Sequence, residues 1–403
     1  MLKLINYFFL AYILIKPGLG FLFYSIDGAG RISILLGILI LLLNINNIEF
    51  RKVLKSAPVL IWGLWGVYTA INWLFHRVDG AQVPWIFIGN QIFLVWIAMV
   101  VVIYECRRNY QSILKFILSC LVIYVIFGLL FQRDTIYPSG RGGAALGNVL
   151  PLTSLSMVAT AVFMYVKKWL TLKKLAVVVI LSLATILFVA TRKALGGLMI
   201  ILFFLLITKY PLNNVKNVLG LTFGLLIFYI GLSFILDNTL LGERMHGIGE
   251  QANQYNTSNL GILNFLGDRA YFYIRGWEIF KEHPLTGIGI NNFMYIDKLK
   301  LPFHTEYMVQ LAENGIIGTI LYVLFYFNIF RQIIGARKCH MIDNEYWPYL
   351  GWVFMVLFIS LTAWVYSFVH YYIVFGLVVG GIQKSLIDYE KNSTYNQRNR
   401  RRW

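Results

Sequence analysis

Three stretches of this 403-residue sequence carry side chains whose type and spacing could do chemistry. The first is Ala190-Thr-Arg-Lys-Ala-Leu-Gly-Gly, a very short turn between two apolar runs, which puts the Arg192 guanidinium between two helix ends. Arginine stays charged and forks onto phosphate oxygens. The second runs from Gly267 to Pro284. Asp268 is an N-cap, Pro284 stops the helix, and the residues between are amphipathic and aromatic, suited to a membrane surface. Arg269 and Arg275 stand about 120° apart on such a helix, so they face different sides, and Arg269 in the first turn is the better candidate for a shared cavity. The third stretch is Pro302-Phe-His-Thr-Glu-Tyr-Met-Val-Gln-Leu-Ala-Glu-Asn-Gly-Ile-Ile-Gly. Thr305 can cap a helix, leaving His304 just outside its N-terminus, where a neutral imidazole suits a general base. Glu306, Gln310 and Glu313 fall on one helical stripe. A polar stripe inside an apolar span must face protein or a water-filled cavity. Gly315 and Gly318 are expected to allow close helix contact.

Each signal alone has a plainer explanation. Arg192 also fits an interfacial arginine reaching for lipid headgroups, and His304 fits a structural histidine. What raises both is their placement on one side of the chain with the polar stripe beneath. Gly287-Ile-Gly-Ile-Asn-Asn-Phe is a turn signal that could offer backbone N–H groups to an anion. Arg141, in the glycine-rich segment Pro138-Ser-Gly-Arg-Gly-Gly, Arg275 and Glu306 are further substrate-binding candidates. Lys16 lies mid-span and either lines a cavity or snorkels. Asp27, Asp79 and His370 carry less weight. Paired metal-ligand histidines, a P-loop and a Gly-x-Ser-x-Gly elbow are all missing, so no metal and no cofactor is expected. Cys106, Cys120 and Cys339 make neither a disulfide framework nor a zinc site.

The elements that must position these residues are membrane spans. The chain is 59% hydrophobic and 13% charged, against about 25% charged in soluble domains. Its net charge of +17 would suggest nucleic acid in a soluble protein, a partner this apolar content excludes. Apolar runs long enough to cross about 30 Å of hydrocarbon fall at roughly 4–24, 32–48, 57–76, 84–104, 113–131, 148–166, 174–191, 194–208, 216–236, 306–330, 348–366 and 367–384. They are continuous rather than alternating, which disfavours a β-barrel. The fold class is therefore an all-α polytopic membrane protein of about twelve transmembrane helices. With the N-terminus in the cytoplasm, 22 of the 35 lysines and arginines fall on cytoplasmic segments, which then carry a net +16 against +1 elsewhere. That asymmetry obeys the positive-inside rule and leaves both termini cytoplasmic. The organisation is nine spans over 1–236, a large periplasmic loop with an amphipathic helix over 237–305, three spans over 306–384, and a basic cytoplasmic tail over 385–403, whose last nine residues, 395–403, are expected to be disordered against anionic lipid headgroups. The first span is a signal anchor that is retained.

In order and spacing these motifs resemble the O-antigen ligase and O-antigen polymerase superfamily of bacterial membrane glycosyltransferases. Arg192 and Gly196 match an Arg-x-x-x-Gly at an outer helix end. Arg269, Pro284, Gly287, Gly289, Asn292 and Phe293 match a periplasmic loop with an Arg, a helix, then Pro-x-x-Gly-x-Gly and Asn-Phe. His304, Gly315 and Gly318 match a His followed by Gly-x-x-Gly entering a span, and Arg141 resembles a further, less specific basic position. The sharp motifs cover about 190 to 320. One departure is Thr305, where the family often has Asn or Ser.

The resemblance implies a glycosyltransferase C-type fold and an inner-membrane enzyme whose active site faces the periplasm. Its donor would be an oligosaccharide on undecaprenyl pyrophosphate, and its acceptor another lipid-linked glycan or a lipid A core. Arg192 and Arg269 would neutralise the departing pyrophosphate, and His304 would take the acceptor proton. The chemistry would be inverting and metal-independent. Polymerase of O-antigen, capsule or exopolysaccharide repeat units is the leading expectation, with O-antigen ligase second. A flippase or transporter of lipid-linked oligosaccharide is the non-enzyme alternative. It would be expected to show inverted repeats and interrupted helices at mid-membrane.

Overall fold

The computed structural model describes residues 2–15, 31–76, 78, 88–131, 149–210, 214, 216, 270–298 and 303–400, all of it helix and connecting turns. In chain order the helices are α1 (Leu2–Ile15), α2 (Arg31–Asn44), α3 (Ile48–Leu54), α4 (Ala57–Phe75), α5 (Leu94–Phe131), α6 (Val149–Val166), α7 (Leu172–Val189), α8 (Arg192–Lys209), α9 (Ala270–Glu282), α10 (Phe293–Ile296), α11 (Glu306–Lys338), α12 (Tyr346–Ser360) and α13 (Val369–Arg400). Among the described residues five helices are long and apolar enough to cross a membrane: α4, α5, α6, α7 and α11. These are the helices of a membrane-embedded protein. Apart from Lys216, the expected span at 216–236 lies outside the described residues.

Local chemistry sets the boundaries. Asn47 caps α3, its side-chain oxygen accepting the Glu49 and Phe50 amides. Pro58 sits in the first turn of α4, where its missing N–H costs nothing. The separate expected spans at 84–104 and 113–131 are joined in α5, broken at Asn109 (φ −154°, ψ 93°), whose side chain accepts the Ser112 amide and so starts the second half.

Two more expectations are corrected. The last two spans were expected to adjoin at 366–367, but α12 ends at Ser360 and α13 begins at Val369, which opens the loop 361–368. The end of the tail, 395–403, was expected to be disordered, yet helix α13 continues to Arg400. No glycine or proline interrupts 382–400, and Lys384 pairs with Asp388 one turn on at 2.8 Å.

The core is aromatic. Trp62 and Trp65 of α4 stack at 4.5 Å and meet Tyr322 and Phe325 of α11, Tyr372 of α13 and Tyr366. Polar contacts gather at two ends of this bundle. One end joins Asn6 to Glu105, Arg107 to Glu49, Lys167 to Glu345 and Tyr110 to Tyr349. The other holds the candidate residues.

Candidate functional site

Arg192 is delivered by a two-residue connection. Helix α7 ends at Ala190 in the left-handed conformation (φ 52°), and the Thr191 amide folds back onto the Ile186 carbonyl at 3.2 Å. This closure satisfies carbonyls that a helix end leaves open. Helix α8 starts at once, with Arg192 as its first residue, partly buried. One turn further in, a Cβ on Gly196 would lie 2.6 Å from the Phe358 ring of α12. That glycine lets α8 lie close to α12, which brings the Arg192 end beside loop 361–368. The adjacent Lys193 ammonium donates to the Thr362 carbonyl at 3.4 Å.

His304 is held between rings, edge-on to Phe272 of α9 at 5.2 Å and 6.3 Å from Trp364. Phe303 beside it is fully buried and stacks on Phe293 at 3.7 Å. Thr305 occupies the N-cap position, but its hydroxyl makes no capping bond; its carbonyl takes the Val309 amide instead.

The stripe of Glu306, Gln310 and Glu313 faces protein. Glu306 Oε2 accepts the Val365 and Tyr366 amides at 2.6 and 3.2 Å, and Oε1 accepts Gln310 Nε2 at 2.7 Å. Gln310 in turn accepts Trp65 Nε1 and Asn314 Nδ2. Both oxygens of Glu306 are thus engaged by the protein itself, in place of the substrate contact expected of it. Glu313 accepts the Asn291 and Phe293 amides at 2.8 and 3.2 Å.

Gly315 does more than ease helix contact. Helix α11 widens into a π turn at Val309–Glu313 and breaks at Gly315 (φ 62°, ψ −167°). The break exposes backbone groups inside an apolar span, where each needs a partner. The turn 284–289 supplies them. Pro284 and Leu285 carbonyls accept the Ile316 and Ile317 amides, and the Ile288 and Gly289 amides donate to the Ala312 and Glu313 carbonyls. Gly287 and Gly289 take positive φ (68° and 84°), and a Cβ on Gly287 would sit 2.5 Å from the Glu313 backbone. The Gly287, Ile288 and Gly289 amides are therefore spent inside the protein rather than offered to an anion. Gly318 does allow close contact, against Tyr68 of α4. Asn72 of α4 donates to Thr286 and Glu313 carbonyls, and Asn292 to the His76 carbonyl, which completes the joint.

Arg275 is a brace within this segment. Its guanidinium meets Glu278 at 2.9 Å and Asp297 at 3.6 Å, and Tyr271 donates to the same Asp297 at 2.9 Å. The fork expected to hold substrate is turned onto carboxylates. Hydrogen bonding to Glu278 raises the Arg275 pKa further above its ordinary value. Burial, with Asp297, pushes the Tyr271 phenol up to about 12.

The structure thus brings the Arg192 end of α8 and His304 to one loop, and places Glu306 beneath it and Arg275 aside. Arg269, Arg141 and Lys16 lie outside the described residues, although α9 begins directly after Arg269. Sequence reasoning missed Lys193, Tyr273 and Trp364. Tyr273 donates to the Leu361 carbonyl at 2.8 Å.

Apolar helices of membrane-spanning length, with buried polar groups gathered near a histidine and an arginine, define a membrane-embedded helical protein. Residues 177–323 match the family model described as O-antigen ligase. The matched stretch contains Arg192, Gly196, Arg269, His304, Gly315 and Gly318, the residues that carry the resemblance to the O-antigen ligase and polymerase superfamily. A comparison with curated proteins gives no match.

Proposed function

We propose that this protein is an inner-membrane glycosyltransferase that moves an oligosaccharide from undecaprenyl pyrophosphate to an acceptor hydroxyl at the periplasmic face. The observation that carries the reading is the convergence of His304 and the Arg192 end of α8 on one loop within the family-matched architecture. The acceptor oxygen attacks the anomeric carbon while His304 takes its proton. The glycosyl–phosphate bond breaks, and the electron pair leaves with the lipid pyrophosphate. Arg192 and Arg269 neutralise that charge, work that a metal ion does in other phosphate-handling sites. A single displacement of this kind inverts the anomeric centre.

The direct test uses purified protein with lipid-linked oligosaccharide. Arg192→Ala and His304→Ala should each cut transfer at least about a hundredfold at unchanged protein level. Wild-type transfer by both variants sinks the assignment.

Polymerisation of repeat units is the leading acceptor reading. Transfer to a lipid A core is the second, favoured by the description of the matched family. Deleting the gene separates them. Loss of a polymerase leaves single repeat units on the core, whereas loss of a ligase leaves a bare core and accumulating lipid-linked polymer.

A further inference from the structure

We propose that the loop between α12 and α13, residues 361–366, is the hub that fixes the Arg192 end of α8, helix α9 and His304 relative to one another, with Glu306 as its positioning residue. The inference rests on the transfer reaction above, but the loop itself lies beyond the family-matched stretch, which ends at 323.

Three separate elements dock onto this short loop, each through a residue close in sequence to a candidate. Lys193, next to Arg192, donates to the Thr362 carbonyl at 3.4 Å. Tyr273, four residues after Arg269 in sequence, donates to the Leu361 carbonyl at 2.8 Å. Glu306, two residues after His304, accepts the Val365 and Tyr366 amides at 2.6 and 3.2 Å. Trp364, flanked by these contacts, then stands 6.3 Å from the His304 ring.

The physical logic is that of a helix end. The last carbonyls of α12 and those just beyond it lack intrahelical partners, and at a lipid boundary they need donors from the protein. Here the donors come from the elements that bear the chemistry, so satisfying the loop also sets their spacing. Glu306 is buried, with both oxygens engaged by protein groups, so it acts through the loop rather than on substrate. Displacements of about 1 Å cost orders of magnitude in rate when reacting groups must align. Loosening the hub should therefore lower turnover while leaving donor binding.

The test compares Glu306→Leu, which removes the acceptor, with Glu306→Gln, which keeps an oxygen for the two amides, in full-length protein in lipid discs. Glu306→Leu should speed hydrogen exchange of the Val365 and Tyr366 amides at least about tenfold and cut turnover about a hundredfold, with KM for the lipid-linked donor within about threefold. Glu306→Gln should restore both protection and most of the turnover. Fast exchange with wild-type turnover overturns the hub. So does a Glu306→Gln variant that is inactive yet fully protected, because the carboxylate would then be doing chemistry. Should Glu306→Leu not fold, Tyr273→Phe and Lys193→Met apply the same test, and wild-type turnover in both overturns the hub. Arg192→Ala and His304→Ala run in parallel keep the two failures apart: activity in those sinks the reaction, activity in the loosened loop sinks only the hub.

Discussion

Two arginines of this protein show how surroundings decide what a guanidinium does. Arg275 meets two carboxylates and is committed to holding α9 against Asp297. Arg192 opens α8 at a helix N-terminus, where the backbone dipole also favours an anion. If Arg192 grips pyrophosphate with its fork, Arg192→Lys keeps the charge but loses the paired bonds, and transfer should fall about tenfold or more. A lysine variant as fast as wild type would reduce the role to charge alone. The Arg275 cluster predicts stability rather than activity. The Tyr271 phenol is raised to about 12 by burial and by Asp297, so it remains a donor throughout the physiological range. Its contribution is fully present below about pH 10, the ordinary tyrosine value, and is lost as pH rises through the raised value. Tyr271→Phe should cost about 1–2 kcal/mol, read as an equal drop in thermal midpoint at pH 7 and pH 9.

At the scale of elements, the decisive feature is that α11 is not one straight helix. Its break at Gly315 and the turn 284–289 complete each other's hydrogen bonding, and neither is satisfied alone. Gly315→Ala forces a side chain into a positive-φ, near-extended conformation that essentially only glycine adopts, at about 1–3 kcal/mol, and drives its Cβ into the Leu285 carbonyl. Thermal stability and transfer should both fall. Gly335 lies in the same helix with nothing within 4 Å of a Cβ, so Gly335→Ala should be neutral or gain up to about 1 kcal/mol. Equal melting of the two variants would remove the joint from the account. Local features of this kind were legible to different degrees. The two-residue turn before Arg192, the helix stop at Pro284 and the inward stripe below His304 follow from adjacent residues. The break at Gly315 does not, because a glycine in an apolar run carries the same signature whether it packs or bends. The loop 361–368 was hidden for a related reason. Ala363, Trp364, Val365 and Tyr366 continue the apolar run, and the partners that release them from helix, Lys193, Tyr273 and Glu306, are far away in sequence. The same distance explains why Arg275 looked available: its partner Asp297 lies 22 residues on, past the end of its own helix.

For the whole molecule, the question is whether the two polar ends of the bundle lie on opposite sides of a bilayer. Helix α11 gives a direct answer to test. It has 33 residues, about 50 Å at 1.5 Å per residue, against about 30 Å of hydrocarbon. His304 precedes its first residue, and Cys339 follows its last. Cys339 is exposed, whereas Cys106 and Cys120 are buried, so the native chain carries one thiol fit to report on the far end. The joint near His304 can be marked at Leu285, 65% exposed. If the site faces the periplasm, a membrane-impermeant thiol reagent should label Leu285→Cys in intact spheroplasts and reach Cys339 only from the opposite side, in inverted vesicles. Cys106 and Cys120 should react only after denaturation. The charge distribution argues for this orientation, since 22 of the 35 lysines and arginines belong to segments assigned to the Cys339 side, and cytoplasmic loops are the ones that accumulate them. Several basic groups there are tied down, Arg107 to Glu49 and Lys167 to Glu345, and the acidic residues are too few to neutralise the remainder. Labelling of both thiols from one side would mean that α11 does not cross, and the site would lose its periplasmic address. Labelling of Cys339 alone in spheroplasts would invert the molecule and hand the His304 site to the cytoplasm.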